Sequence, residues 1–405
     1  MEIDLKLKHT FVSDNSTLVQ TGGLIAKNIL DLRLYEFFFI SIYLTFFIFI
    51  IKFIVKNQKL DKNKVYFLIS YHYFFVILAY VYSLLNVNDL DSFFQTAYLF
   101  LDSDDNHMAN NNMVLINRYL IHLFNLHYFS IFIFFGFFSS IGFLLLFISI
   151  NEILKEFNLN TNLLFGLFLF PSWHFFTSFP GKDSIYLFSI GLFFFYFIKK
   201  NVFYLIISII LIYLVRPHIL MLVLFSGLLI WVHYYLKNTI KSKLSYFILI
   251  LIIIASSLMA LKQINPNTFS HIANFFEHGA LYRSYSNEFA GWYETGNNIF
   301  INSFKYLLYP LFDFSNLNRA IVSLENILII LLVLKTLLNF DEKTFNLVIN
   351  KKVIIFSVLF FISMLVVLSN FTANIGISAR QKWMMMPFLF LFIIPFLGKL
   401  KSSKL

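Results

Sequence analysis

The chain contains no cysteine, which excludes disulfides, thiolate metal sites and cysteine nucleophiles. Charge is scarce as well: only 13% of the residues are Asp, Glu, Lys or Arg, about half the share of a soluble domain. Motifs of soluble enzymes are also missing. There is no phosphate-binding glycine loop, no Gly-x-Ser-x-Gly elbow and no His-Glu-x-x-His, so nucleotide, serine-hydrolase and zinc-protease chemistries have no support. No internal repeat is evident.

What is present is apolar. Hydrophobic residues make up 59% of the 405 positions, and the mean hydropathy is +0.76. Apolar runs recur along the whole chain, unlike a cleavable signal with its one short run and polar sequel, so no signal peptide is expected. The composition predicts an all-α, polytopic integral membrane protein. By the length rule the spans are 34–55, 65–86, 128–150, 161–179, 184–199, 202–216, 217–236, 244–263, 320–339, 353–371 and 383–399, about eleven helices.

A net charge of +10 would point to nucleic acid in a soluble protein. Here the lysines cluster in short loops: Lys52 to Lys64, then Lys199 and Lys200, Lys237 to Lys243, Lys343 to Lys352, and the tail from Lys399. Alternating spans put all of these on one side, which the positive-inside rule makes the cytoplasm. No nucleic-acid partner is expected. The division is then a polar segment 1–33 outside, one membrane domain 34–399, and a basic cytoplasmic tail 400–405. Two long segments, 87–127 and 264–319, fall on the extracytoplasmic side.

The stretch 202–236 would be about 50 Å long as one helix against about 30 Å of hydrocarbon, so it must fold back, with its turn at Arg216-Pro217-His218. Region 161–199 folds back likewise between Pro171 and Ser184. The bias against basic residues outside makes Lys182, Arg216, Arg380 and Lys382 conspicuous. Each precedes a helix that runs inward and aims its dipole outward, an arrangement that binds anions such as a lipid-linked phosphate or diphosphate. Snorkelling to headgroups is the alternative for every one, and it is the expectation for Lys382.

His218 beside Arg216 is placed to act as a general base, with Asp183 as a second candidate. His174, His271 and His278 are weaker candidates, and His72 and His233 read as structural. Arg283 and Tyr285 lie among Glu277, Glu288 and Glu294, residue types that bind sugar hydroxyls, although a solvated loop accounts for them equally. Asp102 to His107 fails the calcium-loop pattern, with His107 where glycine belongs and Met113 where glutamate belongs. No metal is expected, unless Asp89 and Asp91 in the first outer segment hold a divalent cation or activate an acceptor hydroxyl.

Pro171-Ser172 followed by Lys182-Asp183, then Arg216-Pro217-His218, and later Asn374-Ile375-Gly376-Ile377 with Ala379-Arg380-Gln381 and Pro387, resemble patterns of the bacterial polysaccharide repeat-unit polymerases called Wzy-like. The likeness in layout runs from about 85 to 395 and rests on these short patches. It implies a membrane glycosyltransferase of O-antigen or capsule synthesis in the bacterial inner membrane. Such enzymes move a glycan from undecaprenyl diphosphate onto a second lipid-linked repeat unit at the outer face, without a cofactor. A chain-length regulator and a flippase are the implied partners. Lys182, Arg216, Arg380, Arg283 and His174 would contact diphosphate or glycan, and His218 or Asp183 would handle the proton. An outside N-terminus with eleven spans departs from the layout of that family.

Two other readings remain. Asp89 and Asp91 would instead serve a glycosyltransferase that uses a lipid-phosphate sugar, and a flippase or transporter of lipid-linked oligosaccharide is the third. The topology is checked by single cysteines near 105 and 290. Both are expected to react with an impermeant thiol reagent from outside, and a cytoplasmic result at either inverts the scheme.

Overall fold

The computed structural model describes residues 34–58, 61–85, 97, 108–124, 126–157, 159, 162–239, 299–315, 317–371 and 375–398. Every regular element among them is an α-helix. Within lipid an open strand edge would leave backbone groups unpaired, and long apolar runs with few glycines satisfy that constraint only as helices. The expected span 244–263, Asp89, Asp91, Arg283, Glu277, Glu288, Glu294, His271, His278 and both chain ends lie outside the described residues.

Six described helices are long and apolar enough to cross a membrane, or eight spans if two bent pairs each count as one. Two compact units can be distinguished, one comprising residues 1–151 with 168–217, the other 152–167 with 218–405.

The first unit holds α1 (Leu34–Gln58), α2 (Lys62–Leu85), α3 (Met108–His122), most of α4 (Tyr128–Lys155), α6 (Pro171–Thr177), α7 (Lys182–Lys199) and α8 (Val202–Val215). Helix α4 is the centre, buried along nearly its whole length. One face of α1, with Phe47, Ile51 and Val55, packs with Val65 and Ile69 of α2 on Phe137, Ile141, Leu144 and Ile148 of α4. The other face of α1 exposes Phe38, Phe46, Phe49 and Phe53, as a lipid-facing surface does. Where α4 crosses α7 the backbones nearly touch. A Cβ on Gly142 would stand 2.5 Å from the Leu187 carbonyl oxygen, and one on Gly191 would stand 2.5 Å from that of Gly142.

The second unit holds α5 (Asn162–Leu167), α9 (Pro217–Thr239), α10 (Ile299–Leu308), α11 (Leu317–Leu338), α12 (Glu342–Ile349), α13 (Lys352–Phe371), α14 (Ile375–Lys382) and α15 (Met386–Leu397). Phe356 and Phe360 of α13 are fully buried, and the Phe360 ring meets Phe388 of α15 edge-on at 4.8 Å. Short α12 is capped by Asp341, whose carboxylate accepts from the Thr344 N–H at 2.8 Å. Hydrogen bonds from Thr344 hold that carboxyl below its ordinary range. The turn after α12 is clamped: Lys351 pairs with Glu156, Lys352 lies 4.3 Å from the Tyr234 ring centre, and the Tyr234 hydroxyl donates to the Asn350 carbonyl.

The expected span 161–179 is not a single helix. It breaks at 168–170 into α5 and α6, of six and seven residues, because Pro171 cannot extend a helix through the preceding turn. Helix α6 then pairs with α7 across a 109° bend at Ser178 to Gly181. Span 202–216 forms α8, 14 residues and about 21 Å long, short of a full crossing. Span 383–399 shrinks to α15, which follows α14 across a 54° bend.

Gly142→Leu or Gly191→Leu should force α4 and α7 apart and cost about 1–3 kcal/mol, read as a lowered unfolding midpoint in detergent. Gly227→Ala is the contrasting variant, since nothing lies within 4 Å of its added carbon, and it should be neutral or slightly stabilising.

Candidate functional site

Helices α7 and α8 form an antiparallel hairpin. Its closed end is Lys200, in the left-handed region at φ 57°, followed by Asn201, whose side chain accepts from the Tyr204 N–H. Its open end brings together the first turn of α7 and the residue that terminates α8. Arg216 breaks the helix there (φ −144°, ψ 68°), and Pro217 opens α9 with its missing N–H where no partner is needed.

At that open end Arg216 Nη2 donates to Asp183 Oδ1 in an ion pair whose side chains are 8% and 11% exposed. Asp183 stands in the first turn of α7, where the helix dipole favours a carboxylate, and Gly181 before it supplies no capping side chain. Tyr186, one turn further and fully buried, is close enough to feel both charges. The bond engages one corner of the guanidinium only. Arg216 Nε is buried and makes no hydrogen bond among the described residues, so a donor remains on the adjacent edge. Lys182 is half-buried and His218 exposed.

Asp183 thus holds the Arg216 guanidinium in place. Lys182, Asp183 and Arg216 are brought to one end of the hairpin, as the turn positions predicted.

His174 has another environment. Its Nε2 donates to the Phe168 carbonyl at 2.6 Å, its Nδ1 meets His72 Nδ1 at 3.0 Å, and its ring stacks on Phe143 with centres 4.2 Å apart. A carbonyl only accepts, so an uncharged His174 accepts at Nδ1, His72 donates from its own Nδ1, and His72 Nε2 accepts from Ser139 Oγ at 2.7 Å. Both ring nitrogens and the ring itself are occupied by protein. In this arrangement His174 fastens the break before α6 to α2.

In the second unit Arg380 lies half-buried on α14. Lys382 departs from its expected snorkelling and is completely buried. Its Nζ donates to Asn326 Oδ1 on α11, and Glu325, 3% exposed, acts on its charge. The physical reason is reach: the long side chain at the end of α14 extends to Asn326 on α11, whose amide oxygen takes the place of headgroup water. Sequence reasoning passed over Glu325 and Asn326, although a carboxylate beside an amide inside an apolar span of this length is a signal in itself.

Among the described residues no three His, Asp or Glu side chains gather around a possible cation. Comparison with known protein families, with characterised proteins and with solved structures finds no match in any of the three.

Asp183→Ala leaves Arg216 buried without its counter-ion and should cost about 3–5 kcal/mol, whereas Asp183→Leu combined with Arg216→Met should cost far less. Unfolding midpoints of the two proteins in one detergent decide the matter. Equal losses would mean that the pair is not desolvated.

Proposed function

We propose that this chain is a membrane glycosyltransferase that polymerises repeat units, moving a glycan from undecaprenyl diphosphate to the end of a second carrier-linked unit at the outer face of the bacterial inner membrane. The observation that carries the reading is the buried Arg216 guanidinium, held by Asp183 at one corner with its Nε–H still available. Departure of a lipid diphosphate builds negative charge. A fixed guanidinium with little water around it offsets that charge without reorganising. Lys182 at the start of α7 adds a second positive group, and the resemblance also assigns Arg380, on α14 of the second unit, to phosphate.

The base that takes the acceptor hydroxyl proton is then exposed His218, because Asp183 is occupied by Arg216. In this scheme the lysine-rich turns face the cytoplasm, about eleven spans cross the membrane, and segments 87–127 and 264–319 lie outside. The resemblance of the Arg216 and Arg380 patches to repeat-unit polymerases supports the same reading.

One observation favours a second reading. Buried Lys382 with Glu325 is the kind of intramembrane charge that transporters carry, so a flippase of lipid-linked oligosaccharide is the alternative.

Cells that lack the protein decide between the two. A polymerase deficit leaves single repeat units on the outer leaflet, and a flippase deficit leaves them on the cytoplasmic leaflet. In complemented cells Arg216→Ala should abolish long glycan, and Arg216→Lys should be nearly as damaging, since a lysine offers no paired edge to a diphosphate. Normal polymer length with either variant, at normal abundance in the membrane, removes Arg216 from the site. If Asp89→Asn or Asp91→Asn abolishes activity while the arginine variants are tolerated, the enzyme instead uses a lipid-phosphate sugar.

A further inference from the structure

Lys382 occupies the end of α14, a helix of eight residues that is too short to hold its shape unaided. Its ammonium is bound through an oriented partner. Asn326 Nδ2 donates to the Leu308 carbonyl at 2.8 Å and to the Pro310 carbonyl at 2.9 Å, so the amide cannot turn over without facing its oxygen against two other oxygens. Oδ1 is thereby left to Lys382. The link runs from α14 through α11 to the chain leaving α10. Two further contacts support the same end: the Tyr306 hydroxyl donates to Gln381 Oε1 at 3.4 Å, and the Trp383 ring centre lies 5.5 Å from the ammonium.

Two residues along a helix correspond to a rotation of about 200°. With Lys382 fixed on the packed face, Arg380 is set on the opposite face, where it is half-buried, and Gly376 at the other end of α14 is exposed. We infer that Lys382 is a positioning residue. Through Asn326 it fixes the rotation of α14 and so holds Arg380 in the orientation that contacts a phosphate group. The part concerning Arg380 rests on the function proposed above, whereas the anchoring of α14 does not.

The chain has no cysteine, so Gly376→Cys gives a single site for a nitroxide label on the purified full-length protein. Lys382→Met is expected to raise the label's mobility, and Asn326→Ala to do the same with no further increase when the two are combined. Lys382→Gln keeps a donor towards Asn326 and is expected to restore the narrow motion even though the charge is gone. An unchanged spectrum in Lys382→Met, or a glutamine variant as mobile as the methionine one, overturns the anchor.

Binding of farnesyl diphosphate, with farnesol as the control lacking phosphate, reads the consequence. Arg380→Ala and Lys382→Met should each weaken binding roughly tenfold, and together no more than either alone. Unaltered affinity in Arg380→Ala overturns the phosphate role of α14 while the label still judges the anchor. A defect in Arg380→Ala with full affinity in Lys382→Met overturns the positioning role alone. Any variant that unfolds in detergent is replaced by Lys382→Gln with Asn326→Ala, for which the Asn326 loss must dominate.

Discussion

Inside a bilayer no water competes for the backbone, so every carbonyl released where a helix stops must be met by another protein group. That constraint accounts for a set of polar side chains placed at helix ends among the described residues. At the break between α5 and α6, His174 takes the Phe168 carbonyl and the Tyr71 hydroxyl takes that of Leu169. The Ser184 hydroxyl takes the Gly181 carbonyl at the start of α7, and Asn112 reaches the Leu214 carbonyl at the end of α8. After α10, Asn326 and Ser323 share the carbonyls of Leu308, Pro310 and Asp313. The serines within the apolar helices, such as Ser140, Ser149 and Ser226, instead donate to the carbonyl four residues earlier in their own helix.

Charge follows the same geometry with larger energies. A guanidinium or ammonium removed from water needs a counter-charge and several hydrogen bonds, and among the described residues the buried Arg216 and Lys382 each have a helix end near them. Arg216 terminates α8 and faces the first turn of α7. Lys382 terminates α14 and faces the amide that also serves the end of α10. The C-terminal end of a helix carries the negative end of its dipole and favours a cation, whereas an anion is favoured at an N-terminus, such as the first turn of α7 opposite Arg216.

Much of this was legible in the sequence. Spans at α1, α2, α4, α9, α11 and α13 follow from apolar length alone, and a helix break at Arg216 agrees with the mismatch between 35 apolar residues and the bilayer. The sequence places a turn from Pro171 onward, but the helix already ends at Leu167, because Pro171 cannot extend it through the preceding turn. Pairing was the other hidden quantity. Asp183 and Arg216 were each conspicuous, yet their contact depends on the registry of α7 against α8, which composition does not encode. Lys382 was misplaced because position near a span's end points to the headgroups, while its actual neighbours lie more than fifty residues earlier.

The separation of Asp183 from Arg216 by 33 residues bears on biosynthesis. An aspartate leading an apolar segment into lipid by itself faces a cost of about 2.5–3.5 kcal/mol at the helix centre, and less near the interface. Its counter-ion is translated only after the whole of α8. Helix α7 would therefore gain by entering the bilayer together with α8, with Asp183 already paired to Arg216. Loss of Arg216 would be felt first at membrane insertion, before any substrate is met.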